Sequence, residues 1–288
     1  MTLRSQTPTT SQIHRDLSRA PRAHYLIPLP WQDRTRHLDY AKAHGLGLEV
    51  TAFCNGPALN DPATRKERLR GLKKDLRKWT QPLSFHGVFI DIVLHSIDDD
   101  IAAASRRRIE RDLAAASELG CSRIVFHTGC NPNVPVPNYW DEVASGHSAF
   151  WPEVLERFPD ITVCLENTYE PHPALFRRIM KKVNHPRLRV CLDVAHVNVF
   201  SEDGPERWFR QLGPWIAHMH WNDNRGDRDN HLAIGDGTVR WPEVWEESGE
   251  LRCEVTTTLE LGSLEAIQRS FRRLKALGMW NEPSADTR

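Results

Sequence analysis

The segment HMHWNDNRGDRDNHLAIGDG, residues 218–237, joins the end of an apolar run to a loop rich in His, Asp and Gly. His218 and His220 would lie on one face of a strand, because side chains alternate along a strand. A buried imidazole needs a hydrogen-bond partner or a metal ion. The loop adds Asp229 and His231, which are suitable metal ligands. Since exposed turns contain the same residue types, the rest of the chain has to decide between a site and a turn.

Short apolar segments alternate with amphipathic segments on the N-terminal side of this region and continue to alternate after it. The pattern predicts strands at 25–28, 46–53, 83–92, 124–127, 161–166, 188–193, 216–220 and 256–261. It predicts helices at 34–44, 64–79, 100–119, 149–158, 173–183, 205–212, 241–247 and 264–277. Eight strand and helix pairs within one domain favour a closed (β/α)8 TIM barrel, an α/β fold, over an open doubly wound sheet. We expect this barrel to span residues 23–280.

Composition limits the kinds of partner and the cellular compartment that the sequence is compatible with. The 288 residues include 38 basic and 38 acidic side chains, so net charge does not indicate a polyanionic partner or a membrane surface. The six cysteines are scattered and the sequence has no secretory leader, which is typical of reduced thiols in a cytoplasmic protein. No apolar run is long enough to span a membrane. Residues 1–22 are predicted to be a disordered tail, with a transit peptide as the alternative, and 281–288 a C-terminal tail.

Six successive predicted strands, the third to the eighth, end in a histidine or an acid. These residues are His86, His127, Glu166, Asp193 with His196, His220 and Glu260. Functional groups of a (β/α)8 barrel lie at the carboxyl ends of its strands. The three acids follow apolar runs, where an unpaired carboxylate would be desolvated and protonated. A bound cation would stabilise all three, so the pattern predicts a metal site at this rim.

Each of these residues has a simpler interpretation when it is considered alone. A single histidine at a strand end is more often a hydrogen-bonded core residue, and a single acid can cap the next helix or pair with arginine. The coincidence of six such residues at one rim favours metal binding. His218, one layer deeper than His220, is interpreted as a core residue or as a partner of a ligand. Six histidines outside the strand ends are interpreted as surface or structural residues: His37, His44, His95, His147, His172 and His185.

These motifs resemble the xylose isomerase-like TIM barrels, a superfamily that includes the apurinic endonucleases of the endonuclease IV family and sugar isomerases and epimerases. The resemblance covers the chain from about Leu46 to the last helix. It is carried by LEN at Glu166, LDVAH at Asp193, MHWND at His220, D-x-H at Asp229 followed by GDG, and LEL at Glu260.

The resemblance to endonuclease IV implies a site for up to three zinc ions. The first ion would be held by His86, His127 and Glu166. Glu166 would bridge to a second ion held by Asp193, His220 and Glu260, and the third would be held by His196, Asp229 and His231. The sugar isomerases resemble this chain only through the quartet Glu166, Asp193, His220 and Glu260, which binds one Mn²⁺ or Mg²⁺.

Two enzymatic activities are compatible with this resemblance. In metal-assisted hydrolysis of a phosphoester, Glu166 and Glu260 would place or deprotonate a water molecule, and Arg225 and Arg228 would bind the phosphate. In an isomerase or epimerase of sugars or sugar phosphates, the same two glutamates would move a proton between carbons. The predicted metal ligands outside the quartet favour the hydrolase, because an isomerase does not need them as ligands. A non-catalytic metal-binding protein is the third and least favoured alternative.

The predicted substrate is a small nucleotide-like or sugar-phosphate molecule. Endonuclease IV enzymes carry a basic and aromatic DNA-penetrating loop after the second strand, and residues 52–57 of this chain, AFCNGP, lack that character. Nucleic acid therefore stays an alternative partner that neither charge nor loops support. Phe89, which follows His86, and Trp221, which follows His220, are the predicted aromatic contacts of the substrate.

Overall fold

Eight parallel strands form a closed barrel in the computed structural model, which describes residues 24–54, 56–251 and 254–280. The strands pair in chain order, and β8 returns to pair with β1, so the predicted (β/α)8 fold is confirmed. The strands are β1 (His24–Leu29), β2 (Gly47–Val50), β3 (Leu83–His86), β4 (Arg123–His127), β5 (Thr162–Glu166), β6 (Leu188–Asp193), β7 (Ile216–Trp221) and β8 (Thr256–Leu259).

Helices surround the barrel and connect successive strands. They are α1 (Arg34–His44), α2 (Pro57–Asn60), α3 (Pro62–Asp75), α4 (Asp99–Leu119), α5 (Tyr139–Arg157), α6 (Ala174–Val183), α7 (Val194–Phe200), α8 (Pro205–Leu212), α9 (Trp241–Gly249) and α10 (Leu264–Ala276). Several begin at a side-chain cap; for example, Asp98 accepts hydrogen bonds from the first turn of α4, and Ser263 accepts one from Ala266 N of α10.

The second and third strands are shorter than the sequence predicts, because side chains from neighbouring helices bind the backbone that follows them. Strand β3 was expected to reach residue 92 but ends at His86. Beyond it, Val88 N donates to Asp112 Oδ2 of α4 over 2.7 Å, and Val93 N donates to Ser105 Oγ over 2.9 Å. Strand β2 was expected to reach residue 53 and ends at Val50.

Three helical segments differ from the prediction: α2, which was not predicted, α5 and α7. Helix α5 begins at Tyr139, ten residues before the predicted start, although its first half is rich in residues with low helix propensity. Burial of Val143, Ala144 and His147 outweighs that propensity. Gly146 permits the close packing, since a Cβ there would lie 2.9 Å from the His95 backbone. Helix α7, directly after β6, was not predicted.

The core has two parts that follow from side-chain alternation along the strands. Outward-facing residues pack against the helices in one large apolar cluster. A small separate cluster of Val125, Cys164 and Cys191, with Ala217 packed against it, fills the barrel interior. Its first three members each precede a predicted metal ligand by two positions, so they share the inward face with those ligands. The barrel interior is therefore a packed support beneath the rim.

Several sequence predictions concern regions that the structure describes only in part. The predicted tails at 1–22 and 281–288 lie outside the described residues, as does Cys253. The five cysteines in the described ranges are free and buried: Cys54, Cys121, Cys130, Cys164 and Cys191. Among the helices of the described residues, none is long and apolar enough to cross a membrane.

His147 makes the folding free energy of this barrel depend on pH. Its Nε2–H donates to Thr128 O over 3.0 Å, and its Nδ1 accepts from Trp151 Nε1 over 2.8 Å, so both ring nitrogens are occupied inside the core. Burial lowers the pKa of His147 from 6.5 to about 4. The unfolded chain therefore binds a proton more readily, and the stabilisation is complete above pH 6.5 and is lost as pH falls toward 4.

We expect His147→Gln to remove part of the acid sensitivity of the wild-type protein. Lowering the pH from about 7.5 to about 5 should cost the wild type about 2 kcal/mol of unfolding free energy through this residue alone. Urea denaturation of both proteins at the two pH values measures the difference. Equal pH dependence in the two proteins would show that His147 titrates normally.

Candidate metal centre

The nine predicted metal ligands come together at the carboxyl-terminal rim of the barrel. Three groups of potential donor atoms, each within 4.8 Å of one another, contain all nine. The groups are His86, His127 and Glu166; Glu166, Asp193, His220 and Glu260; and His196, Asp229 and His231. We call them the first, central and third groups. Glu166 belongs to both the first and the central group.

The first group joins the ends of β3, β4 and β5. Glu166 Oε2 lies 3.5 Å from His86 Nε2 and 3.2 Å from His127 Nε2. Both imidazoles therefore point the same nitrogen at one carboxylate oxygen. Glu166 is fully buried, whereas the His127 side chain is 16% exposed, so the group opens toward solvent on the His127 side.

The central group lies deeper and uses the other oxygen of the same carboxylate. His220 Nδ1 is 3.1 Å from Glu166 Oε1 and 3.4 Å from Glu260 Oε2. Asp193 and His220 are fully buried, and the Glu260 side chain is 19% exposed. Glu166 thus holds the first and central groups together through its two oxygens.

The third group consists of residues from α7 and the loop after β7. Asp229 Oδ2 lies 3.3 Å from His196 Nε2 and 2.9 Å from His231 Nε2. His231 adopts a positive φ of 46°. A residue other than Gly seldom adopts this conformation, and such strain is concentrated at functional sites. The third group is the most exposed of the three.

The distances within these groups suit a shared metal ion. Donor atoms that surround zinc tetrahedrally at about 2.0–2.1 Å lie ~3.3 Å apart, close to the nitrogen to oxygen separations at this rim. Glu166 Oε2 and Glu260 Oε2 are buried and have no hydrogen-bond partner among the described residues. Since a buried acceptor without a partner is costly, the donor set fits a cation.

Backbone carbonyls orient three of the histidines toward the site. The Nδ1 atoms of His86, His196 and His231 lie within 3.0 Å of the carbonyl oxygens of Gly87, Asn167 and Glu260, respectively. A carbonyl can only accept, so Nδ1 carries the proton in each ring. The opposite nitrogen, Nε2, is then the one that faces the carboxylates and is free to bind a metal.

Burial and the charges of neighbouring side chains shift the pKa values of several residues in the site. Burial raises the pKa of Asp193 to about 6. Burial alone would also raise the pKa of Glu166, but the charges of His220 and His127 hold it well below its ordinary value. Burial opposes protonation of His86, yet contact with Glu166 raises its pKa to about 9. Protons on the imidazoles thus balance the carboxylates when no metal does so.

Asn167 and Asn222 hold Asp193 in place, a role that the sequence did not predict for either residue. Asn167 Nδ2 donates to Asp193 O over 2.9 Å, and its Oδ1 accepts from Asp193 N over 2.8 Å. Asn222 Nδ2 donates to Asp193 Oδ2 over 3.1 Å. Their positions directly after Glu166 and Trp221 were the available signal, since both follow the strand ends that supply the site.

Asp223 supports the loop that carries the third group. Its carboxylate is fully buried and accepts hydrogen bonds from Gly235 N, Val239 N and Trp241 Nε1, at 2.8 to 3.1 Å. Gly237 allows this arrangement, because a Cβ there would lie 2.3 Å from Asp223 Oδ1. The GDG motif therefore closes the loop around a buried acid.

The four predicted substrate contacts differ in their placement. The Phe89 ring lies beside His86 and His127, with ring centroids 5.5 and 5.2 Å apart, so it borders the first group. Arg225 and Arg228 are exposed in the loop before Asp229.

Trp221 does not line the site, and this prediction is corrected. It is fully buried and its ring contacts Tyr25, Trp241 and Trp245 on the helix side of the barrel. Alternation along β7 sends His220 inward and therefore sends its neighbour Trp221 outward.

Glu49 is a buried acid that the sequence pattern did not predict to belong to the site. It lies in β2 and is fully buried. Its carboxylate contacts His218 Nε2 at 2.9 Å and His220 Nε2 at 3.2 Å. The signal was a glutamate in the strand sequence GLEV, where all four residues are buried. His218, interpreted as a core residue or a partner of a ligand, is fully buried against Glu49 and Thr256.

Comparison with known proteins identifies the family. The model of the xylose isomerase-like TIM barrel family matches residues 38–277. The chain belongs to this family. Related chains include a probable endonuclease 4 of Mycobacterium bovis, 26% identical over 213 residues that cover 69% of this chain and 80% of that protein. An uncharacterized protein of Methanocaldococcus jannaschii is 27% identical over 218 residues, 68% of this chain and 73% of that protein.

Two solved structures have a similar fold. A Thermus thermophilus protein soaked with ZnCl2 is 28% identical, with a TM-score of 0.72 over 88% of this chain and 97% of that one. A D-tagatose 3-epimerase-like protein is 21% identical, with a TM-score of 0.73 over 88% of this chain and 96% of that one. The barrel fold of this chain is therefore shared with both structures.

We expect Glu166→Ala to reduce metal binding more than His231→Ala, because Glu166 belongs to two groups and His231 to one. If each group holds one ion, the wild type should bind about three zinc ions per chain, His231→Ala about two and Glu166→Ala about one. Plasma mass spectrometry after dialysis against zinc measures the ratios.

Glu170→Gln is the matched control for this measurement. Glu170 is also buried, four residues farther along, where it contacts Thr128 and Thr168 N and belongs to none of the groups. Its zinc content should equal that of the wild type. Equal zinc loss in Glu166→Ala and His231→Ala would contradict the shared position of Glu166.

Proposed function

We propose that this protein is a divalent-metal-dependent hydrolase that cleaves a phosphoester bond, with up to three zinc ions at the barrel rim. The observation that carries the proposal is the presence of the first and third groups beside the central one. The central quartet suffices for a single-metal isomerase. Five further donors are then left over, and a hydrolase with several metals uses them: His86, His127, His196, Asp229 and His231.

The geometry of three of those five donors supports metal binding over a structural role. His86, His196 and His231 each have Nδ1 occupied by a backbone carbonyl, which leaves Nε2 facing a carboxylate. Ordinary core histidines such as His147 have both nitrogens occupied by other partners. The named relatives agree with a zinc hydrolase, since one is a probable endonuclease 4 and another was studied with ZnCl2.

The residues of the rim have separate tasks in this reaction. Bound metal ions would neutralise phosphate oxygens and lower the pKa of a water molecule. Glu260, whose side chain is 19% exposed, would accept the proton of that water. Glu166 is buried and serves to hold the first and central groups at a fixed separation.

The surroundings of the site favour a small phosphoester. Arg225 and Arg228 are exposed in the same loop as Asp229, where their guanidinium groups can approach a phosphate. Phe89, beside the first group, offers an aromatic surface for a base or a sugar ring. A neutral chain without a basic loop after β2 gives little support for duplex DNA.

A sugar or sugar-phosphate isomerase or epimerase is the second candidate. The observation in its favour is that Glu166, Asp193, His220 and Glu260 form one compact group by themselves. In this reaction a single Mn²⁺ or Mg²⁺ would be held by the quartet, and Glu166 and Glu260 would exchange protons with the substrate. The outer histidines would then bind sugar hydroxyl groups.

The effect of His231→Ala distinguishes the two activities. For a hydrolase, this variant should cleave bis(p-nitrophenyl) phosphate at least about 100-fold more slowly, since losing even the partner of a metal ligand costs about 10–100-fold. His185→Ala is the control, because His185 pairs with Glu156 away from the rim. The readout is the initial rate of nitrophenolate release by zinc-loaded protein.

Two results together would support the epimerase. The wild type loaded with Mn²⁺ would interconvert ketohexoses, and it would not cleave the phosphodiester. His231→Ala would retain the metal of the central quartet. Chromatography of the sugar products measures this activity.

A further inference from the structure

A negatively charged side chain lies directly beneath the central group and is not one of its ligands. Glu49 Oε2 accepts hydrogen bonds from His218 Nε2 over 2.9 Å, Ser84 Oγ over 2.9 Å and Thr258 Oγ1 over 3.2 Å. The same Oε2 accepts from His220 Nε2 over 3.4 Å, and Oε1 lies 3.2 Å from that nitrogen. Side chains of three other strands, β3, β7 and β8, thus converge on one carboxylate in the barrel interior.

The contacts of Glu49 determine where the protons of the two imidazoles lie. A carboxylate can only accept, so the nitrogen of each ring that faces Glu49 carries a proton. In His218 this nitrogen is Nε2, and Nδ1 lies 2.6 Å from Thr256 Oγ1, which satisfies the ring. In His220 it is also Nε2. The other nitrogen, Nδ1, faces the carboxylates of Glu166 and Glu260, so it carries a proton too until a metal ion held by those carboxylates replaces that proton.

His220 therefore has the opposite orientation to the histidines of the other groups. His86, His196 and His231 present Nε2 to the site and bind a backbone carbonyl through Nδ1. His220 presents Nδ1, and its proton acceptor is the side chain of Glu49. Burying a carboxylate requires removing it from water, which is unfavourable, and an apolar residue would fill the same interior without that cost.

We propose that Glu49 is a positioning residue of the central metal group, which accepts the Nε2 proton of His220 and keeps Nδ1 as its metal-binding nitrogen. The inference depends on the proposed metal centre but not on the reaction that the centre catalyses. Carboxylate partners of this kind fix the ring orientation of a metal-binding histidine and increase its basicity.

The nitrogen that His220 uses can be observed directly in the wild-type protein. Long-range proton–nitrogen correlation spectra of ¹⁵N-histidine-labelled, zinc-loaded protein separate a metal-bound nitrogen from a protonated one. The His220 signals are identified by their loss in His220→Asn. We expect His220 to bind zinc through Nδ1 and to carry its proton on Nε2. Binding through Nε2, or no zinc contact at His220, would overturn the inference.

Glu49→Gln tests whether the carboxylate controls that choice. The amide offers only one acceptor oxygen to the two imidazole N–H groups, so the affinity for the central zinc ion should fall about 10–100-fold. Competition with a chromophoric chelator measures the affinity, and the zinc ions of the first and third groups should bind as before. An unchanged central affinity would overturn the inference.

Ser84→Ala is the matched control, because Ser84 contacts the same carboxylate oxygen but no metal ligand of the three groups. It should retain the wild-type zinc affinity within about twofold, which shows that disturbing this polar layer is not enough to weaken binding. Zinc bound through His220 Nδ1 in a protein without phosphodiesterase activity would refute the proposed reaction and support the role of Glu49.

Discussion

The carboxylate of Glu166 determines the arrangement of the rim. It is fully buried at the end of β5, so its negative charge has to be balanced by groups from neighbouring elements. Its two oxygens face different partners, His86 and His127 on one side and His220 on the other. Closure of the barrel brings these partners together, since each lies at the end of a different strand. One desolvated charge therefore connects two of the three groups.

The layers beneath Glu166 keep that arrangement rigid. Cys164 and Cys191 fill part of the barrel interior together with Val125. Cys191 lies beside His218 and His220, next to the polar contacts of Glu49. Asn167 fixes Asp193 from the side through two hydrogen bonds. Rigid support of this kind favours catalysis, because it places the donors before a substrate arrives. Two members of the third group, Asp229 and His231, lie on the loop after β7, and their side chains are the most exposed of the nine.

The sequence predicted the fold and the main donors because both depend on strand periodicity. Acids and histidines directly after apolar runs, such as Glu166 and His220, were recognisable without tertiary information. Trp221 was placed incorrectly, since the rim position was considered and the alternation of strand faces was not. Glu49 was missed because its role depends on side chains 35 to 209 residues away in sequence. Helix packing also shortened β3 through Asp112, a contact that local patterns do not contain.

Anomalous X-ray diffraction from crystals grown with zinc shows how many metal ions the rim binds and where they lie. Data collected above and below the zinc absorption edge locate each metal ion independently of any assay. Three anomalous peaks are predicted, with the first and central ones on opposite oxygens of Glu166 and the third between His196, Asp229 and His231. A single peak within the quartet of Glu166, Asp193, His220 and Glu260 would contradict the account.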